Sequence, residues 1–238
     1  MIEAVLLDVG GVLMLPNPAK IHQALEFGAV RPSDRQLDEA HYRAVAATDT
    51  VGRFDWSAYR PAYVRSCGVR EELVDTTVAA LARLFTGYDW TRVAPGAISG
   101  LRRLTATGRP VGIVSNSMGT VAQMLAAAGV CQAGPGPLIS VQTIVDSGSV
   151  HVEKPDPAIF RIALDRLGVP AEQAVYVGDV ARIDVDGARR AGLRPLHFDP
   201  LGLCPDPVGD HEHVADLECV VGLVSEDTDE PRAFGLAQ

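Results

Sequence analysis

The chain has 238 residues, 47% of them hydrophobic and 21% charged, which excludes disorder for its bulk. No apolar run approaches the roughly 18 residues that a membrane span needs, and the apolar opening is cut by Asp8 with no basic stretch before it. A net charge of −9 argues against nucleic acid or an anionic membrane as partner, so the expectation is an acidic, cytoplasmic globular protein, monomer or homodimer.

The first predicted element is a strand, Ala4–Leu7, apolar on both faces and closed by Asp8. From Leu15 to Thr91 the pattern turns helical, over Ala19–Phe27, Asp34–Thr48, Trp56–Ser66 and Glu71–Phe85, punctuated by Pro16, Pro18, Pro32 and Pro61. Strand and helix then alternate. Ala97–Thr107 precedes the strand Val111–Val114, Thr120–Ala128 follows it, and Pro157–Leu167 leads to Val175–Val177. Val185–Ala191 leads to Pro195–Phe198. Gly108, Gly129, Gly168 and Gly192 stand just past helix ends, where a left-handed residue is wanted.

Short runs that are apolar on both faces predict parallel strands covered by helices on each side. The fold class is therefore α/β, a doubly wound, Rossmann-like parallel sheet. Residues 1–14 and 92–225 form its core, and residues 15–91 form a helical cap inserted after the first strand. The stretch Val214–Val224 supplies an edge strand and a short helix, and residues 226–238 read as a solvated acidic tail. Cys67, Cys131, Cys204 and Cys219 lie far apart without zinc-finger spacing, and read as buried thiols rather than a disulfide framework or zinc site.

Sites in parallel sheets form beyond the carboxyl ends of the strands, where the strand order reverses. Asp8, Ser115, Asn116 and Asp179 belong there, with Lys154 and Asp184 nearby by topology. Each has a plain alternative. Asp8 is a turn residue before two glycines, Ser115, Asn116 and Asp184 are helix caps, and Asp146 and Asp186 are solvated. Lys154 is harder to set aside, because Lys20 is the only other lysine among 21 basic residues. An ammonium is a compact point charge suited to a tight anionic site, which a planar guanidinium is not.

Taken together, Leu6-Leu7-Asp8-Val9-Gly10-Gly11-Val12, Ile113-Val114-Ser115-Asn116-Ser117, Glu153-Lys154-Pro155-Asp156 and Val177-Gly178-Asp179 through Asp184 resemble the four signature regions of the haloacid dehalogenase-like hydrolase superfamily. The helical insert looks like the cap of one of its subgroups. The resemblance implies Asp8 as nucleophile, forming an aspartyl-phosphate, and Mg²⁺ held by Asp8, the Gly10 carbonyl and Asp179, with Asp184 completing or orienting that shell. It also implies that Ser115 and Lys154 bind the phosphoryl group, with substrate contacts at Asn116, Gly10 and Gly11. The implied substrate is a small phosphorylated metabolite. One position departs from the phosphatase pattern: Gly10 stands where a second Asp usually acts as general acid and base. Two other readings are a 2-haloacid dehalogenase, which needs neither metal nor second Asp, and a weakly catalytic member with a binding or regulatory role. Arg43, Arg53, Arg60 and Tyr42 are candidate substrate contacts from the insert.

Overall fold

A computed structural model describes residues 1–49, 54–205 and 209–226. Two strands, β1 (Ala4–Leu7) and β2 (Met14–Leu15), come first. Four helices follow: α1 (Pro18–Leu25), α2 (Asp34–Asp49), α3 (Trp56–Ser66) and α4 (Glu71–Leu84). The short β3 (Arg92–Val93) pairs back on β2. Then come α5 (Ala97–Ala106), β4 (Val111–Ser115), α6 (Val121–Ala127), β5 (Cys131–Ala133), β6 (Ile139–Val141) and β7 (Thr143–Asp146). The rest is α7 (Ser147–Val150), α8 (Pro157–Leu167), β8 (Ala174–Gly178), α9 (Asp186–Ala191), β9 (Arg194–Phe198), β10 (Glu212–Val214) and α10 (Leu217–Glu226).

Six strands form one parallel sheet in the order β10-β9-β8-β1-β4-β7. Because successive side chains point to opposite faces, each doubly apolar strand feeds two cores. Val5, Leu7, Val111, Ile113, Val175 and Val177 pack on one face, under α5, α6 and α10. Ala4, Leu6, Val114 and Tyr176 pack on the other, under α8 and α9. The expected Rossmann-like α/β sheet is present. The chain runs outward from β1 to β4 and β7, then crosses back to β8 and continues through β9 to β10. The order therefore reverses between β1 and β8, and a crevice opens beyond their carboxyl ends.

Helices α1 to α4 form a layer with an apolar core of its own, which includes Ile21, Leu25, Leu37, Val45, Tyr59, Tyr63 and Phe85. Val180 and Ile183, from the loop after β8, complete that core. Local chemistry sets the helix ends. Asn17 accepts from the Ala19 and Lys20 amides ahead of α1, and Asp156 accepts from Ala158 with Pro157 in the first turn of α8. Pro61 is an exception, since it sits inside α3 instead of bounding it.

Several expectations need correction. Strand β7 has no counterpart among the predicted strands, because its four residues lack an apolar run and it gains its place by pairing with β4. Asp146 at its end is buried, accepting from the amides of Gly119, Val121 and Gly148, so it is not solvated. Cys67 and Cys131 are buried, whereas Cys219 is exposed and Cys204 half-buried among histidines. Edge strand β10 begins two residues before the predicted Val214. Arg53 and residues 227–238 of the acidic tail lie outside the described residues. No helix among the described residues is long and apolar enough to cross a membrane.

Candidate active site

Asp8 and Asp179 follow directly from β1 and β8, the two strands that flank the crevice. The Asp8 amide still donates to Val177 O at 2.8 Å, so the sheet ladder aims the carboxylate outward. Next to it the chain turns through Gly11 at φ +69°, and a Cβ there would lie 1.9 Å from Asp179 Oδ2. Only glycine lets the two loops approach this closely. Gly178 serves the same end on the other loop, where a Cβ would lie 2.3 Å from Asp184 Cγ.

After β8 the chain makes one π-helical turn, Ala181–Val185. That turn brings Asp184 back over the strand end, where its Oδ2 accepts from the Val180 amide at 3.0 Å. Its Oδ1 accepts from Lys154 Nζ at 2.7 Å and from the Tyr176 hydroxyl at 2.9 Å. Asp184 is thus a buried anchor and not the cap of α9. Lys154 Nζ also donates to the Tyr176 hydroxyl at 2.8 Å and lies 2.9 Å from Asp8 Oδ1. The second approach pairs the two buried charges directly.

Asn116 fixes where the lysine starts. Its Oδ1 accepts from the Lys154 amide at 2.7 Å and its Nδ2 donates to the Lys154 carbonyl at 2.9 Å. Ser115 ends β4 and is buried at the cavity wall. The sheet therefore brings Asp8, Gly10, Ser115, Asn116, Lys154, Asp179 and Asp184 around one cavity of about 510 Å³, with Gly11 in the turn just behind.

Three buried carboxylates face a single ammonium. Burial, opposed by Lys154 and reinforced by Asp184 and Asp179, pushes Asp8 up to about 7. Burial and then Asp184 push Asp179 well above the ordinary carboxylate range, against the pull of Lys154. Burial alone would depress Lys154, but Asp184 and Asp8 outweigh it and hold the ammonium above its ordinary value. One oxygen from each of Asp8, Asp179 and Asp184 lies within 4.8 Å of the others. This is an oxygen-donor cluster with excess negative charge, which fits a hard dication.

A family model for haloacid dehalogenase-like hydrolases matches residues 2–192. The chain belongs to that family. It is 36% identical over 179 residues to haloacid dehalogenase-like hydrolase domain-containing protein 3 of Danio rerio, covering 75% of this chain and 69% of that protein. It is 32% identical over 212 residues to a phosphoglycolate phosphatase of Rhodospirillum rubrum, covering 87% and 83%. Among solved structures, a HAD phosphatase from Thermococcus onnurineus superposes with TM-score 0.58 at 22% identity over 94% of this chain and 98% of that one. A 2-haloacid dehalogenase from Pseudomonas syringae superposes with TM-score 0.56 at 19% identity over 95% and 99%. Those two likenesses speak for the fold. The protein is a hydrolase of this family, with phosphatases among its relatives.

The opposite wall of the cavity comes from the helical layer and is not legible in the sequence. Phe54, Trp56 and Trp90 line it, with Trp90 edge-on to His41 at 5.4 Å between ring centres. Buried His41 puts Nε2 3.1 Å from Asp179 Oδ2 and Nδ1 2.9 Å from the Tyr59 hydroxyl. Burial lowers His41 to about 3, so its ring is neutral. Of the candidate contacts, Tyr42 donates to the Gly11 carbonyl at 2.8 Å, while Arg60 stacks over Trp56 and Arg43 points to solvent. Tyr176 does carry a signal: a phenol in a buried strand needs a hydrogen-bond partner.

Proposed function

We propose that this hydrolase is a Mg²⁺-dependent phosphatase acting on a small phosphorylated metabolite through an aspartyl-phosphate on Asp8, with helices α1 to α4 as its cap. The observation that carries the reading is the buried Lys154 ammonium tied to Asp184 and paired at 2.9 Å with Asp8, both at the wall of the cavity. Asp8, the Gly10 carbonyl and Asp179 would hold the metal, and bound Mg²⁺ supplies charge neutralisation for the phosphoryl oxygens. Both oxygens of Asp184 are already engaged, so its part is to orient Lys154.

In the first step an Asp8 oxygen attacks phosphorus as the ester's P–O bond breaks, and the leaving oxygen departs as an alkoxide that takes its proton from water. Lys154 favours the ionised form of Asp8 against the effect of burial and, with Ser115, meets the phosphoryl oxygens. Water then attacks the acyl phosphate, which releases phosphate and restores Asp8. Asn116 acts one bond further out, by fixing the Lys154 backbone. His41 holds Asp179 from the helical side and turns a neutral edge to it.

The 2-haloacid dehalogenase reading keeps one observation in its favour. A side chain at Gly10 would meet the Trp90 ring at 3.6 Å, so an indole faces the place where a second carboxylate would stand. Phosphate release from a panel of phosphorylated metabolites, with and without Mg²⁺, tests the proposal against halide release from 2-haloacids. Asp8→Asn should cut phosphate release by about 10⁴-fold or more while leaving the circular dichroism spectrum unchanged. Halide release without added metal, and no phosphate release with it, would reverse the assignment.

A further inference from the structure

Beyond the crevice, at the β9–β10 edge of the sheet, three imidazoles and a thiol converge. His197 lies in β9 and His213 in β10, with Cys204 and His211 in the connection between them. One ligand-type atom from each lies within 4.8 Å of all the others. The hydrogen bonds fix one N–H on each imidazole. His197 Nε2 is 3.1 Å from the Asp179 carbonyl, an acceptor, so Nε2 is the N–H and Nδ1 presents its lone pair. His211 Nδ1 is 2.6 Å from the Gly209 carbonyl, so Nε2 presents its lone pair. His213 Nδ1 is 3.1 Å from Asp199 Oδ2, so Nδ1 is the N–H and Nε2 is the nitrogen that can face a metal.

These tautomers set two acceptors face to face. His197 Nδ1 and His211 Nε2 are 3.1 Å apart, and Cys204 Sγ is 3.5 Å from the same His211 Nε2. Two lone pairs repel at that distance unless a proton or a metal ion joins them. A tetrahedron with Zn–N near 2.0–2.1 Å and Zn–S near 2.3 Å has N···N edges of about 3.3 Å and N···S edges of about 3.6 Å, close to both separations. We propose that His197 Nδ1, Cys204 Sγ, His211 Nε2 and His213 Nε2 form a tetrahedral zinc(II) site.

Donor chemistry separates this site from the oxygen cluster at Asp8. A thiolate and imidazoles suit Zn²⁺, whereas carboxylates suit Mg²⁺. Each imidazole is held from behind by a carbonyl or carboxylate, as zinc-bound histidines are, and Asp199 also accepts from the Leu203 and Cys204 amides. On binding, the Cys204 thiol gives its proton to solvent. Four protein donors leave no open position, so the role is structural: the ion staples the β9–β10 connection. Through His197 the staple reaches the main chain of Asp179. The spacing His-x6-Cys-x6-His-x-His is visible in the sequence, but it matches no zinc-finger pattern.

The test uses the full chain, stripped of metal with a chelator and titrated with Zn²⁺ or Co²⁺. The wild type should retain one zinc per chain after desalting, and Co²⁺ should give the intense ultraviolet thiolate band with tetrahedral visible bands. Cys204→Ser should remove the thiolate band. His213→Ala, at a rim position with 41% of its side chain exposed, should abolish zinc retention without unfolding the protein. Asp199→Asn should weaken zinc about 10- to 100-fold. Wild-type protein that retains no zinc and shows no thiolate band overturns the proposal. So does zinc retention that His213→Ala and Cys204→Ser leave unchanged.

Discussion

On the sheet side of the cavity, Asp8, Lys154, Asp184 and Tyr176 meet through charge and hydrogen bonds of 2.7–2.9 Å. On the helical side, Phe54, Trp56 and Trp90 present ring faces and edges, while His41, Tyr42 and Asp49 reach across by hydrogen bonds. The first wall is rigid because buried charges tolerate almost no displacement. The second is adaptable, because apolar contacts carry little directionality. Under the proposed function, the difference assigns bond breaking to the strand ends and the choice of leaving group to the aromatic wall.

The strongest way to break this contrast is to change the sheet side. Lys154→Ala leaves buried carboxylates without their partner and should cost about 3–5 kcal/mol of stability as well as activity. Lys154→Arg should lose nearly as much activity, since a guanidinium is too wide for this slot. Urea unfolding and turnover measured on both variants check it. Recovery of most activity with arginine would mean that charge alone suffices there.

A smaller effect is expected at Gly10, where the two walls meet. A general acid typically contributes about 10²- to 10⁴-fold, so the wild type should favour esters with acidic leaving groups, such as aryl, acyl or anomeric sugar phosphates. The 3.6 Å from a Cβ to the Trp90 ring is ordinary contact, so the first atom of a side chain fits there. Gly10→Asp should therefore raise alkyl phosphate turnover more than aryl. The measurement is a rate series over leaving groups of graded pKa. A flat series in the wild type would place the proton donor elsewhere.

The smallest effect belongs to the aromatic wall. Phe54→Ala should raise KM about 10-fold for esters of bulky apolar alcohols while sparing small ones, the scale of an altered hydrophobic pocket. A uniform loss over all substrates would show that this wall also supports the chemistry.

The same contrast explains which parts of the molecule are legible in the sequence. Strand ends obey a one-dimensional rule, an apolar run followed by a polar residue, so Asp8, Ser115 and Asp179 stand out in the bare chain. Lys154 stands out by rarity. His41 meets Asp179 across 138 positions, and neither residue's neighbours announce the pairing. Trp90 and Phe54 read as ordinary core residues because apolar rings look alike whether they face a core or a cavity. Strand β7 is set by its partner β4 and not by its own composition. Asp146 reads as solvated because the three amides that surround it come together only in the fold.

Helix α2 carries His41, Tyr42 and Asp49, which grip Asp179, the Gly11 carbonyl and the Ala181 and Arg182 amides. For anyone wishing to graft new selectivity onto this enzyme, that makes α2 a keel. A chimera that imports a relative's helices while shifting α2 by one residue would move all three grips off their targets together. Keeping α2 native and exchanging the Phe54–Trp56 segment leaves them in place, so redesign of the aromatic wall has one fixed rod to build from.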